Sequence, residues 1–134
     1  MNLRQARAAL SSLFASVWGQ TTPITWDSTL PPTPGTAFVR FTVQETTSKL
    51  DTWTGSDQNW RHYGIAAVQI FVRAGSGTAQ ADDLVQLVRF NLMGKRISAE
   101  LSTYEATVHD DGPDGHGWDQ TRVLVRFQYT QTTT

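Results

Sequence analysis

The stretch from Tyr63 to Leu92 changes its hydrophobic period halfway, and no other feature constrains the fold as strongly. From Tyr63 to Arg73, apolar residues occupy every second position, which is typical of a β-strand with one buried face. From Ala81 to Leu92 they recur at helical spacing. The predicted inward residues are Gly64, Ala66, Val68, Ile70 and Val72 on the strand, and Ala81, Leu84, Val85, Val88 and Leu92 on the helix. A long strand leading into a helix predicts half of a two-layer core.

The strand and the helix are joined by Gly75-Ser76-Gly77, with Thr78 as the expected N-cap and Gly94 as the expected C-terminal stop. A glycine-rich turn before a helix can bind phosphate through free backbone N–H groups. This turn fits neither G-x-x-x-x-G-K-[ST] nor G-x-G-x-x-G, and no Lys follows it. The sequence therefore favours a structural turn over a phosphate site.

The N-terminal segment, residues 1–20, is predicted to be an amphipathic helix. Its apolar positions follow helical spacing, Asn2 is the expected N-cap, and Gly19 stops the helix after Trp18. A short edge strand is expected at Ile24–Trp26, followed by a stiff turn that contains Pro31, Pro32 and Pro34.

Three more segments alternate between apolar and polar residues and are predicted strands. They run from Thr36 to Thr46, from Ile97 to Val108 and from Trp118 to Tyr129. The alternation of the second switches face partway, which predicts a β-bulge or a change of exposure. Residues 130–134 read as a frayed tail.

These elements give the order α-β-β-β-α-β-β. The sequence predicts an α+β fold in which two helices pack on a mostly antiparallel sheet of four or five strands. We find neither a repeat nor a linker in the 134 residues, so residues 1–134 are expected to form one domain.

Composition argues against several classes of function. The chain has no Cys, which excludes disulfides, thiolate metal sites and cysteine nucleophiles. The net charge is −1, with 11 basic and 12 acidic residues. A dedicated duplex-DNA binder usually has a clear positive excess, because counterion release dominates its affinity. No apolar run approaches the roughly 20 residues of a membrane-spanning helix, so no membrane partner is expected.

Metal-binding side chains are concentrated only in the loop from His109 to His116, which reads HDDGPDGH. The spacing does not follow a calcium loop, and Gly-Pro and Asp-Gly are ordinary turn sequences. A solvated loop is therefore favoured over a cation site. No Ser is placed near a His in a nucleophile context, while a carboxylate pair such as Glu45 and Glu105 stays open. We expect no catalytic residues, no metal and no cofactor.

The segment from Ser48 to Asn59 is polar and is expected to form a hairpin arm or a flexible loop between two long strands. Trp53, Trp60 and Trp118 lie in or beside polar loops. Exposed Trp is enriched at protein interfaces, so these residues either contact partners or cap the core at the end of the sheet.

The combination of PITW, PGTAFVR, YGIAAVQIFV and GSGTAQADDLV after an N-terminal helix resembles the lambda-type tail terminator family of long-tailed bacteriophages. The resemblance spans Asn2 to Tyr129 and departs at Ala74, where relatives often have Pro. The residues that carry it are Trp26, Pro32, Gly35, Arg40, Gly64, Gly75, Gly77, Ala81 and Leu84.

This resemblance implies a virion protein with no enzymatic activity, assembled in the host cytoplasm and located at the head-proximal end of the tail. It implies a ring, usually a hexamer, that caps the tail tube, ends its polymerisation and docks the neck or head-completion proteins. DNA would pass through the channel without specific binding. On this reading the interface residues are Trp53, Asp57, Trp60, Arg61, His62 and Trp118, and the channel-facing residues are Asp110, Asp111 and Asp114.

Two other functions stay open at this stage. The chain is also consistent with another head–tail joining protein, since such a protein likewise binds ring to ring. From a different class, it is consistent with a small metal-binding, ligand-binding or hydrolytic domain that uses the loop from His109 to His116.

Overall fold

A computed structural model describes residues 1–19, 21–26 and 37–134. Two helices and five strands follow the predicted order: α1 (Leu3–Trp18), β1 (Ile24–Trp26), β2 (Phe38–Thr54), β3 (Asp57–Arg73), α2 (Ala79–Leu92), β4 (Leu101–Pro113) and β5 (Trp118–Thr133). The strands form one sheet in the order β1-β2-β3-β5-β4. All neighbours are antiparallel except β1, which runs parallel to β2 at the edge. The predicted α+β fold is confirmed. The expected proline turn and Gly35 lie outside the described residues.

Both helices pack on the same face of the sheet, and the predicted inward residues of β3 and α2 are buried there. α1 packs on β2, whereas α2 lies over β3, β4 and β5. Under α1, the Phe14 ring is stacked between Trp18 (5.2 Å) and Phe41 (4.7 Å). Aromatic rings bury large areas and prefer such offset stacks, so this column anchors α1 to the sheet. Among the described residues, no helix is long and apolar enough to span a membrane.

The predicted helix ends are partly correct. Asn2 caps α1 in a capping box, in which Asn2 and Gln5 exchange side chain–backbone hydrogen bonds of 2.9 Å. Gly19 follows as its C-cap. Thr78 stands at the N-cap of α2 but makes no capping hydrogen bond with its side chain. α2 ends at Leu92, and the Gly94 N–H donates to the Tyr104 carbonyl at 3.0 Å.

The polar segment from Ser48 to Asn59 is a regular β-hairpin. β2 runs on to Thr54 and β3 begins at Asp57, with continuous pairing down to Thr54 and Asp57 apart from two register shifts. The far part of this hairpin, residues 46–62, extends beyond the helices and is called the arm. Hairpin pairing with β3 orders the arm as a strand, so the expectation of a hairpin is confirmed and the alternative of a flexible loop was wrong.

The start of β4 was predicted four residues too early. Ile97 to Glu100 form a bend, in which the Ile97 N–H donates to the Leu101 carbonyl at 2.9 Å. β4 then continues beyond the expected end to Pro113, with the predicted bulge between Thr103 and Ala106.

The C-terminal segment is not frayed. β5 extends to Thr133, and its last four residues pair with β3 from Gln58 to Arg61. The amino group of Met1 also donates to the Thr130 carbonyl at 3.2 Å. The expectation of a frayed tail was wrong, because the arm supplies a partner strand that lies far away in the sequence.

Candidate functional site

The first candidate site is the arm, which extends the sheet beyond both helices. Every β2 residue from Thr46 to Thr54 is exposed. On the sheet face that carries the helices, the arm presents Leu50 opposite Trp60, and Trp53 opposite Gln58. Trp53 is 58% exposed and Leu50 is 42% exposed. We call Leu50, Trp53 and Trp60 the arm patch.

Polar contacts hold the arm in shape. Trp60 is half-buried, and its indole N–H donates to Gln58 Oε1 at 3.1 Å. On the opposite face, Arg61 pairs with Asp51 at 3.2 Å. Asp57 lies at the tip, opposite Thr54. Five of the six expected interface residues, Trp53, Asp57, Trp60, Arg61 and His62, therefore lie on the arm, with His62 at its base.

His62 lies where the arm meets the body, in a network of polar side chains. Its Nδ1 is 2.6 Å from Ser48 Oγ and 3.1 Å from Glu45 Oε1, while Nε2 is 3.0 Å from Gln131 Oε1. The Tyr129 hydroxyl donates to Glu45 Oε1 at 2.8 Å. Burial and this hydrogen bond to a carboxylate raise the pKa of Tyr129 above its ordinary value.

This network does not have the geometry of a Ser-His-acid relay. Such a relay needs the nucleophile and the orienting acid on opposite ring nitrogens, whereas here the hydroxyl and the carboxylate meet the same Nδ1. The open pair of Glu45 and Glu105 is not brought together either. Glu105 pairs with Arg126 at 3.3 Å, on the sheet face opposite to Glu45. The network fixes the base of the arm.

Trp118 is buried on the sheet face that points away from the helices, outside the core cluster between helices and sheet. It is only 7% exposed, its ring packs edge-to-face on Phe38 at 5.1 Å, and the Arg73 guanidinium lies 4.8 Å from its centroid. Of the two readings that the sequence left open, the structure favours the one in which Trp118 caps the end of the sheet.

The second candidate site, called the acidic turn, is the end of the β4–β5 hairpin, where Asp110 and Asp111 lie on β4 and Asp114 lies in the connection to β5. Asp111 forms a two-point ion pair with Arg122, whose Nε lies 2.7 Å from Oδ2. Asp110 Oδ1 accepts from the Gly112 N–H at 3.1 Å. Asp111 is thus neutralised, and the net negative charge of the turn comes from its other carboxylates.

Asp114 shapes the same turn through the backbone. Its Oδ1 accepts from the N–H groups of His116 at 2.7 Å and Trp118 at 3.2 Å. Such Asx-type contacts are ordinary turn chemistry. Across residues 1–19, 21–26 and 37–134, no three His, Asp or Glu side chains converge in a way that could hold a metal ion.

The glycine turn before α2 is closed on itself. The Ser76 N–H and hydroxyl both donate to the Arg73 carbonyl, at 3.2 Å and 2.6 Å. The adjoining groove is lined by Asp82, Asp110 and Asp119. Carboxylates repel an anion, so the arrangement supports the structural reading of this turn over a phosphate site.

Sequence reasoning missed an apolar strip on the outer side of α2. Leu87, Phe90 and Met93 are all exposed, and Phe90 is 73% exposed. Lys95 Nζ lies 5.6 Å from the centre of the Phe90 ring. We call Leu87, Phe90 and Met93 the α2 strip. These three apolar residues recur every third position and lie outside the buried stripe of α2. That spacing is the sequence signal that could have identified the α2 strip.

Comparison with known proteins places this fold among solved structures. No protein-family model matches the chain. No curated protein matches it either. A solved chain whose name describes no function has a TM-score of 0.71 and 13% identity, over 96% of each chain. A chain of the virion of a native gene transfer agent particle has a TM-score of 0.60 and 16% identity, over 93% of this chain and 94% of that one. At these identities, the likeness establishes a shared fold.

Proposed function

We propose that this chain is a structural virion protein of a phage or phage-like particle, and that it forms the ring that caps the tail tube. One observation carries the proposal: nearly the whole chain shares its fold with a chain of a gene transfer agent virion. In this role the ring ends tube polymerisation and offers its other face to the neck proteins. The resemblance to lambda-type tail terminators in Trp26, Gly64 and the turn before α2 supports the same assignment.

The shape of the chain supports assembly into a ring. A closed ring, here a hexamer, needs a heterologous interface, in which each subunit presents two different surfaces. The arm projects beyond the body and bears Trp53, a type of side chain enriched at interfaces. We therefore propose the arm residues Trp53, Asp57, Trp60 and Arg61 as contacts to neighbouring subunits or to the tube, with His62 fixing the base of the arm.

The acidic turn is proposed to face the channel. Asp110 lines the groove that also contains Asp82 and Asp119, and Asp114 adds a carboxylate in the turn that follows β4. Negative charge repels DNA phosphates, so DNA would pass without binding. Asp111 contributes less to this field because Arg122 neutralises it.

Electron microscopy of particles made without this protein tests the proposal. If the chain caps the tube, tails become overlong or ragged, and supplying the protein from a plasmid restores their uniform length. Tails of normal length beside unattached heads would instead identify a head–tail joining protein. Normal, infectious particles would refute both virion roles.

Native mass spectrometry separates the virion roles from a small binding domain. The ring proposal expects hexamers, alone or on purified tubes, and no bound ion. A monomer that carries zinc or calcium and does not bind tubes would contradict it.

A further inference from the structure

We infer that the arm patch of one copy of this chain packs against the α2 strip of the next copy. The inference rests on the proposed ring and names the contact that would build it. It joins the most exposed tryptophan of the described residues, Trp53, to the most exposed phenylalanine, Phe90.

The two surfaces do not meet within one chain. α2 lies over β3, β4 and β5 in the body of the domain, whereas the arm runs past the helices. Leu50 and Trp53 on the arm, and Leu87, Phe90 and Met93 on α2, are all among the exposed large hydrophobic residues. Exposed apolar groups that are adjacent on a monomer commonly mark a protein contact. Here one chain has two such surfaces of different shape, which is what a head-to-tail assembly requires.

Charge around the two surfaces is complementary. Asp57 places a carboxylate at the tip of the arm, across the turn from Trp53, whereas the Asp51 carboxylate is already paired with Arg61 on the opposite face. Cations flank the C-terminal end of the α2 strip, where Lys95 lies against the Phe90 ring and Arg96 follows it. Docking the arm tip on this end of α2 would bring opposite charges together at the rim, which favours encounter in one orientation.

The outer edge of the sheet is a poorer alternative for contact between copies. β4 carries two register shifts and ends in Pro113, and both features disfavour pairing with another strand. At its other end, the backbone of Thr103 already pairs with Lys95 at 2.8 Å. This edge of the sheet is therefore blunted against pairing with another copy.

Disulfide trapping tests the contact directly, because the chain contains no cysteine. The double variant Trp53→Cys/Phe90→Cys, concentrated and oxidised, is expected to give a ladder of dimers and higher multiples on a non-reducing gel. The two single variants mixed together should give only the mixed dimer. The matched control is Trp53→Cys with Gln80→Cys, since Gln80 is also exposed but lies at the other end of α2, about 15 Å from Phe90.

Two outcomes would overturn the inference. One is a dimer formed by Trp53→Cys alone, which would show a symmetric contact between arms. The other is the absence of a cross-link between positions 53 and 90 of the double variant, both in concentrated protein and in assembled particles. Neither outcome alters the tail-length phenotype, so failure of this contact and failure of the proposed cap are distinguishable.

A charge substitution gives an independent measurement. Phe90→Asp is expected to weaken self-association by about thirtyfold or more, the loss typical of an interface anchor. Its thermal midpoint should fall only slightly, because the Phe90 side chain is mostly exposed and the new carboxylate lies in the last turn of α2. Unchanged self-association, measured by sedimentation, would contradict the inference.

Discussion

Substitution of Gly64 by Ala should destabilise the fold severely, because two strands meet around this glycine without room for a side chain. A Cβ added to Gly64 would collide with the ring of Phe127 and would lie 2.5 Å from the backbone oxygen of Gln44. Phe127 is fully buried and lies directly opposite Gly64 on β5. The ring therefore fills the space above the glycine.

The loss of unfolding free energy depends on which atoms the added methyl group displaces. Overpacking a core by one methyl group costs about 1–3 kcal/mol when side chains can shift. Here one of the two obstacles is backbone in the middle of the sheet, so we expect the upper end, about 3 kcal/mol. Phe127→Leu removes the ring atoms nearest the new methyl group but leaves the Gln44 carbonyl in place. The double variant should consequently be more stable than the sum of the two single losses by about 1 kcal/mol.

Urea denaturation followed by tryptophan fluorescence measures these free energies of unfolding. Gly55→Ala is the matched control: Gly55 has open space around its Cβ position and a φ of +63°. Its cost is conformational strain alone, about 1–2 kcal/mol. If Gly64→Ala costs no more than Gly55→Ala, or if the Gly64 and Phe127 effects simply add, the steric argument is refuted.

Three other predictions concern pH, the arm and the C-terminal strand. The pKa of Tyr129 is raised in the folded state, so folding favours the neutral phenol. The free energy of unfolding should therefore be constant at pH values below the unfolded-state pKa of Tyr129, about 10, and should fall above that pH. Tyr129→Phe should flatten that alkaline decline in denaturation curves, and an unchanged decline would rule out Tyr129 as its source. Removing Thr52 to Gln58 should leave the fold intact but impair assembly, as seen by circular dichroism and sedimentation; a large drop in the thermal midpoint would show instead that the arm supports the core. Deleting residues 130–134 should cost about 2 kcal/mol, from a few lost backbone hydrogen bonds of about 0.5–1.5 kcal/mol each; unchanged stability would restore the interpretation of this segment as a frayed tail.

The elements that the sequence predicted best have a regular hydrophobic period and bury one face. The alternation in β3 and the helical stripe of α2 identified their inward residues, because a period of 2 or 3.6 directly reports which face is apolar. The N-cap at Asn2 was also predicted correctly, since the capping box depends on two residues only three positions apart.

The predictions that failed concern polar segments whose partners are distant in the sequence. The last residues of β5 form a strand because Gln58 to Arg61, far earlier in the chain, lie beside them. For the arm, the sequence left a hairpin and a flexible loop open, and pairing of its two adjacent halves confirms the hairpin. Local composition does not encode such pairing, since Thr and Gln suit both an exposed strand and a loop. Burial of Trp118 was likewise undecidable from its neighbours, because Phe38, on which it packs, is 80 positions away in the chain.

By itself, the sequence determined the α+β class, the order of the elements and the inner faces of the main strands and helices. These follow from periodicity, which is a local property of the chain. Only the tertiary structure decided that the arm projects beyond the helices, that Asp111 is neutralised by Arg122 and that Phe90 lies exposed on the outside of α2. Those features depend on which distant segments meet, and they are the ones from which a ring contact can be argued.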